Sequence, residues 1–382
     1  MADFPDPAAL TVLMFADLHL ERQFAWADAG AASRRRLALR TTLENVVELA
    51  LAEGADAILC GGDLYEDEFF SPDLAHFVAS TLDCGLPVLC AAGNHDHLSR
   101  SSLYARAPLP RLVNVFDAPT FERFELVPGA SIWGASHVTA SGTAGFFDGR
   151  GPVVGASEAA GDLNLGLFHG SERAGFSFEG ADKSPHAPFD GPQVAAAGFD
   201  YAFVGHHHHP VAGEHHCYPG NPDPLEFGET GERGAVIARF SAGGGAPTLT
   251  THAVGPTSAQ AVTVDISNAR HSTEVHRQVA DVVATHQGWL RVDLTGALHP
   301  DVQLDLAQLQ SAGADLDGFL VRTDRVHRAF DLDAIRTEES SVRSHFVRLA
   351  DAASELDEAE RARVVELGLR AFENRRDLEA LT

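Results

Sequence analysis

The chain has 382 residues, 45% hydrophobic and 21% charged, which predicts two or three globular domains with ample core and excludes disordered or collagen-like architectures. Twenty-eight basic against 54 acidic residues leave a formal charge of −26. The surface as a whole therefore lacks the positive footprint of a nucleic-acid binder, and a polyanion has to be held by local features, either bound cations or arginine groups such as Arg34-Arg35-Arg36 and Arg375-Arg376.

In chain order, the first two hundred residues alternate short apolar runs with amphipathic stretches. Leu10–Phe15 reads as a strand, Arg34–Glu53 as a helix, Ala57–Cys60 as a strand, Pro72–Leu82 as a helix and Pro87–Ala92 as a strand. That rhythm predicts βαβ units and a largely parallel, doubly covered sheet. Further strands are expected at Ser131–Gly134, Asn164–Phe168, Tyr201–Val204 and Gly234–Phe240. Two glycine-rich stretches, Val138–Gly161 and Ser171–Gly191, are long enough to be functional or mobile. Their phenylalanines Phe176, Phe178 and Phe189 read as loop anchors. Near Pro256 the character changes. Strands at Ala261–Ile266, Trp289–Leu294 and Phe319–Arg325 alternate with helices at Thr273–Thr285 and Val302–Leu309, and beyond Leu332 the chain reads as helical. Thr337 is expected to cap one helix, and Asp357 with Glu360 forms a capping box on the next. The domains expected are therefore 1–255, 256–332 and 333–382.

No run of about 18 apolar residues occurs. The opening Met1-Ala2-Asp3-Phe4-Pro5-Asp6 is acidic where a signal peptide is basic, so a cytoplasmic protein without a membrane partner is expected. Cys60, Cys84, Cys90 and Cys217 show no C-x-x-C spacing and read as free, mostly buried thiols.

Metal-type side chains recur just after predicted strands, where an open α/β sheet places its ligand crevice. Asp17 and His19 follow the first strand, Gly61-Gly62-Asp63 the second and Gly93-Asn94-His95-Asp96 the third. His169 follows the strand Asn164–Phe168, and Gly205 with His206 to His209 follows Tyr201–Val204. In extended backbone His206 and His208 project to one side, so that pair is the expected one. Each element alone is weak, but chance is a poor explanation for five such strand ends in order. Carboxylate, amide and imidazole donors without thiolate suit manganese or iron. Seven donors are too many for one octahedral ion and suit two ions sharing a carboxylate.

These residues resemble the five blocks of the calcineurin-like metallophosphoesterases: Asp-x-His, Gly-Asp, Gly-Asn-His-Asp/Glu, a lone His and Gly-His-x-His. Gly62-Asp63-Leu64-Tyr65, the proline after the histidine run, and Tyr218-Pro219-Gly220-Asn221-Pro222 with Phe227-Gly228-Glu229 resemble the SbcD-type DNA-repair exonucleases, most of all a YhaO-like subgroup. The resemblance is strong from Leu10 to about Phe240, and from Ala261 it rests on layout. It implies an α/β fold with a metallophosphoesterase β-sandwich core flanked by helices, a small α/β capping domain and C-terminal helices. It further implies two manganese ions, one held by Asp17, His19, Asp63 and His208 and the other by Asp63, Asn94, His169 and His206, with His95 as catalytic histidine. The implied activity is a DNA exonuclease, also able to nick single strands, acting as a homodimer with an SbcC-type coiled-coil ATPase. Val365, Leu369 and Phe372 share one helical face suited to docking that ATPase or to packing on the cap. Glu66 and Asn221 depart from the family pattern, which more often has histidine or aspartate and serine there. The competing readings are a small-molecule phosphodiesterase or phosphomonoesterase, which the acidity favours, and a non-catalytic scaffold subunit.

Overall fold

The computed structural model describes residues 10–67, 70–149, 151–155, 162–173, 185–241, 245–299, 302–339 and 341–372. The chain divides into two compact units, Met1–Thr257 and Ser258–Thr382. The first contains β1 (Leu10–Phe15), α1 (Ala29–Ala52), β2 (Ala57–Cys60), α2 (Pro72–Thr81), β3 (Val88–Ala91), α3 (Leu103–Arg106), β4 (Val113–Phe116), β5 (Glu122–Val127), β6 (Ala130–Gly134), β7 (Leu163–His169), α4 (Gly191–Ala196), β8 (Tyr201–Gly205), β9 (Val211–Ala212), β10 (His216–Tyr218), β11 (Ala235–Phe240) and β12 (Thr248–His252).

These strands form two six-stranded sheets, ordered β12-β11-β1-β2-β3-β4 and β5-β6-β7-β8-β10-β9. The alternating rhythm alone pointed to one largely parallel sheet; the chain instead forms two mixed sheets, the sandwich core that the family resemblance implies. In the first sheet β1 to β4 run parallel, and β11 pairs antiparallel with β1. In the second, β6, β7, β8 and β10 run parallel, with β5 and β9 antiparallel at the edges. The physical reason is burial. Val12, Met14, Leu59, Leu89, Ile132, Leu165, Leu167 and Phe203, drawn from both sheets, share one apolar cluster, so the sheets cover one another as a sandwich. Helices take the outer faces: α1, whose Leu39, Leu43 and Val46 are buried, is capped by Asp28, whose carboxylate accepts from Ala31 N at 2.8 Å. Such a cap is worth about 1 kcal/mol.

Of the second glycine-rich stretch, the described C-terminal end is anchored by one of its phenylalanines. Phe189 is buried against Phe168, with ring centroids 5.0 Å apart; Phe176 and Phe178 lie outside the described residues. The thiols are free, with Cys60, Cys90 and Cys217 buried. No helix among the described residues is long and apolar enough to cross a membrane.

The second unit holds a parallel sheet of β13 (Ala259–Asp265), β14 (Trp289–Leu298) and β15 (Gly318–Arg328), with α5 (Ser272–Val283) and α6 (Leu306–Ser311), then α7 (Leu332–Thr337), α8 (Val342–Ala352) and α9 (Glu358–Phe372). Thr337 ends α7 rather than capping a helix; Asp331 caps α7 and Ser341 caps α8. The reciprocal box of α9 is present: Glu360 N donates to Asp357 Oδ1 at 2.8 Å and Asp357 N to Glu360 Oε2 at 3.0 Å. Val365 and Leu369 are buried with Ile335, Val347 and Ala350, whereas Phe372 is half exposed. Of the three residues on that face, the first two therefore serve the helical core.

Candidate metal centre

The loops leaving β1, β2, β3, β7 and β8 meet at one edge of the sandwich. Their approach is close enough to demand glycine. A Cβ on Gly93 would lie 2.2 Å from Asp63 Oδ1, and one on Gly205 would lie 2.2 Å from Gly61 O. Asp17 N donates to Gly62 O and His19 N to Asp63 O, both at 2.9 Å, which locks the first two loops together. The locked backbone is strained: Asp17, His19, Asp63 and His206 all have positive φ, at 55°, 51°, 51° and 105°. Non-glycine residues hold such angles at about 1–3 kcal/mol each, and only where surrounding structure enforces them. Here the strain turns four polar side chains into one space.

All seven residues expected to ligate metal converge there. Asp63 is central, its Oδ2 lying 3.3 Å from His169 Nε2 and 3.7 Å from His19 Nε2. On one side Asp17, His19 and His208 present donor atoms within 4.8 Å of one another; on the other Asp63, His169 and His206 do the same. Asn94 Oδ1 and His206 Nδ1 each lie 3.2 Å from His169 Nε2. His207 and His209 instead face each other, with ring centroids 5.8 Å apart, although β8 ends at Gly205 and His206, at φ 105°, is not in the extended backbone on which strand alternation depends.

The electrostatics call for added positive charge. Burial drives the Asp17 carboxyl above its ordinary range despite neighbouring His169 and His208. Burial also opposes ionisation of Asp63, but His169, His19 and His95 hold its carboxyl well below that range. Burial lowers His169, yet Asp63 and Asp17 push its imidazole up to about 9. Two buried carboxylates side by side cannot both ionise without cations to compensate. His19 Nε2 is also buried with no hydrogen-bond partner among the described residues. The donor set therefore fits divalent cations.

A sequence profile described as calcineurin-like phosphoesterase matches residues 10–210, more than half of the chain. The chain belongs to the calcineurin-like phosphoesterases. The family is one of metal-dependent phosphoester hydrolases with a two-metal centre. The chain is 26% identical over 249 residues to "Uncharacterized metallophosphoesterase YhaO" of Bacillus subtilis (strain 168), covering 61% of this chain and 58% of YhaO. It is 27% identical over 308 residues to "DNA double-strand break repair protein Mre11" of Aeropyrum pernix, covering 73% and 71%. The chain thus spans less than two thirds of the length of YhaO. Among solved structures, TT1561 of Thermus thermophilus aligns with 16% identity and a TM-score of 0.39 over 65% of this chain and 100% of its own. A dimetal phosphatase from Danio rerio aligns with 13% identity and a TM-score of 0.36 over 60% and 92%.

In this calcineurin-like phosphoesterase the inward-facing nitrogens are set by hydrogen bonds from outside the cage. His169 Nδ1 donates to Gly61 O at 3.0 Å, leaving Nε2 inward. His19 Nδ1 pairs with Glu66 Oε1 at 2.9 Å and His208 Nδ1 with Glu229 Oε1 at 2.6 Å. Such partners fix tautomer and ring orientation. Neither carboxylate was singled out as a support by the sequence reading, which noted Glu66 as a departure and Glu229 as part of a motif. Asn221, the other departure, donates to Glu229 Oε2 at 2.6 Å. The Tyr-Pro-Gly-Asn-Pro segment thereby braces a candidate metal ligand.

Asp96 is a further residue missed. Fully buried, it accepts from Asp63 N, Gly93 N, Leu64 N and Tyr104 Oη at 3.1, 2.6, 2.8 and 2.6 Å, tying the second and third loops together. Burial and nearby Asp63 push its carboxyl up to about 6. His137 Nε2 donates to His169 O at 2.8 Å, fixing the lone-histidine loop. His186, which carried no assignment, has its ring 5.4 Å from that of His206; its loop position gave no spacing signal. Arg35 is structural rather than phosphate-holding, buried against Asp223, Thr257 and Pro224 O. Arg375 and Arg376 lie outside the described residues.

His95 differs from the cage residues. Its backbone N donates to Asp63 Oδ1 at 2.8 Å, yet its side chain is 44% exposed. Nδ1 pairs with Glu66 Oε2 at 2.8 Å, and that hydrogen bond, opposed by burial, pushes the imidazole up to about 9. Glu66 thus joins His19 to His95 through its two oxygens.

Proposed function

We propose that this chain is a dimetal DNA exonuclease, also able to nick single strands, that works with an SbcC-type coiled-coil ATPase. The observation that carries this reading is a buried cage of seven donors sharing Asp63, with a half-exposed histidine at its mouth held by its own carboxylate. The Mre11 likeness over most of both chains supports DNA as the substrate. Asp17, His19, Asp63 and His208 would hold one ion, and Asp63, Asn94, His169 and His206 the other; the donor chemistry suits manganese or iron, and the family resemblance points to manganese. When bound, two such ions supply Lewis acidity toward phosphate oxygens and a lowered pKa for water.

The chain's own residues do the rest. Glu66 accepts from His95 Nδ1, which leaves Nε2 as the atom facing an entering phosphodiester. From there it donates a proton toward the departing sugar oxygen, a role contributing ~10²–10⁴-fold. Purified protein with manganese should shorten end-labelled single-stranded or duplex DNA. His95→Ala should lose at least about a hundredfold in rate with its metal content unchanged. Equal activity in that variant would remove His95 from the reaction.

The second reading, a small-molecule phosphodiesterase or phosphomonoesterase, draws on the charge of −26. Preference for cyclic nucleotides or nucleotide monophosphates over DNA would establish it. For the ATPase partnership, the exposed Val342, Leu349, Val364 and Leu367 of the C-terminal helices are the surface to test by co-purification.

A further inference from the structure

The geometry points to a nucleobase-stacking rim built from Trp26 and Phe227 beside the metal centre, where a base of the DNA strand being cut is held. This rests on the nuclease reading and adds the group that recognises the strand.

Trp26 lies on the loop that leaves β1 and carries Asp17 and His19. It is 43% exposed, whereas Trp133 and Trp289 are buried. It is not an isolated surface apolar residue. Its ring centroid lies 4.9 Å from Phe227 and 6.1 Å from Phe24, and the Arg35 guanidinium sits 5.4 Å over Phe24. Glu21 and Phe24 adopt positive φ, at 66° and 49°. For a bulky aromatic residue this is a genuine outlier that surrounding structure must enforce. The loop is thus held in a fixed shape that leaves an indole in water.

A chain of contacts links this rim to the mouth of the cage. Glu66, which holds His95, lies 3.9 Å from the Arg22 guanidinium, and Arg22 donates to Glu226 Oε1 at 2.9 Å. Glu226 precedes Phe227, on the same loop as Glu229, which braces His208. The aromatic pair is therefore tied to His95 through Glu226, Arg22 and Glu66.

Charge decides what the rim can grip. Arg22 is shared between two carboxylates, and the chain carries −26 overall, so phosphate neutralisation contributes little here. Stacking on an aromatic face is insensitive to this charge and tolerates any base. A strand that reaches the cage with its phosphate is thus recognised beside it by a base.

All three tryptophans emit, but quenching by a stacked base needs ring contact and Trp133 and Trp289 are buried, so the quenched part of the emission reads Trp26. Metal-free protein in EDTA should be quenched by a short oligothymidylate and not by an abasic oligomer of equal length. With manganese, Trp26→Ala should raise KM for the oligonucleotide about tenfold to a hundredfold, leaving kcat and metal content unchanged. Trp26→Phe should restore most of the KM. Equal quenching by the abasic oligomer, or none by either, overturns the rim. Hydrolysis with an unquenched Trp26 keeps the nuclease reading and removes the rim. Quenching without hydrolysis keeps the rim and removes the nuclease reading.

Discussion

Glu229 and His208 stand 21 residues apart and meet at 2.6 Å, and a single carboxylate there settles which nitrogen of His208 turns inward. Glu229→Ala should weaken metal binding about 10- to 100-fold, read by equilibrium metal titration, with Glu229→Gln retaining part of the affinity. Glu66 acts on two rings at once. In the metal-free protein the His95 imidazole should titrate near 9, and Glu66→Gln should return it toward 6.5. A raised folded pKa places the stabilising contribution below the unfolded value of about 6.5 and removes it as pH rises through about 9. NMR titration of His95 checks both statements.

Among the elements, the β2 and β3 loops show how closely backbone must approach before chemistry is available. A methyl on Gly93 collides with the backbone and carboxylate of Asp63, so Gly93→Ala should displace the central carboxylate. Destabilisation of about 1–3 kcal/mol and loss of metal binding are expected in denaturant and metal titrations. Gly54→Ala is the contrast: its φ is positive, at 64°, but a Cβ there meets nothing within 4 Å, so metal binding should persist. Legibility varied in the same physical terms. β1, apolar but for Thr11, and β2, apolar throughout, are buried at nearly every position and are legible to the residue. β5 and β12 are half-exposed edge strands, and β10 has three residues, too few for a period to register. They escaped the sequence reading because neighbouring strands, not their own pattern, hold them in place.

At the scale of the whole molecule, two units with separate cores imply separable responses to metal. The cage lies wholly within the first unit, while Val275, Leu290, Val292 and Leu309 fill the core of the second. Saturation with manganese at about 100 times its dissociation constant should stabilise the first unit by ~2.7 kcal/mol. Calorimetry with manganese and then EDTA should therefore move one transition and leave the other. A common shift of both would show that the units unfold together.

Residue type and order were enough to pick out candidate donors, because a two-metal site needs carboxylate, amide and imidazole groups at strand ends, and those residues stand in the chain where such ends are predicted. The seven candidates were legible for that reason, and the structure brings them together; His95 came with the family resemblance. Tertiary structure decided how the groups act. It made both sheets mixed, gave Glu66 to both His19 and His95, set Glu229 behind His208, made Arg35 a buried strut and left Trp26 in water. Each depends on contacts between segments far apart in sequence, and local spacing carries no record of such contacts.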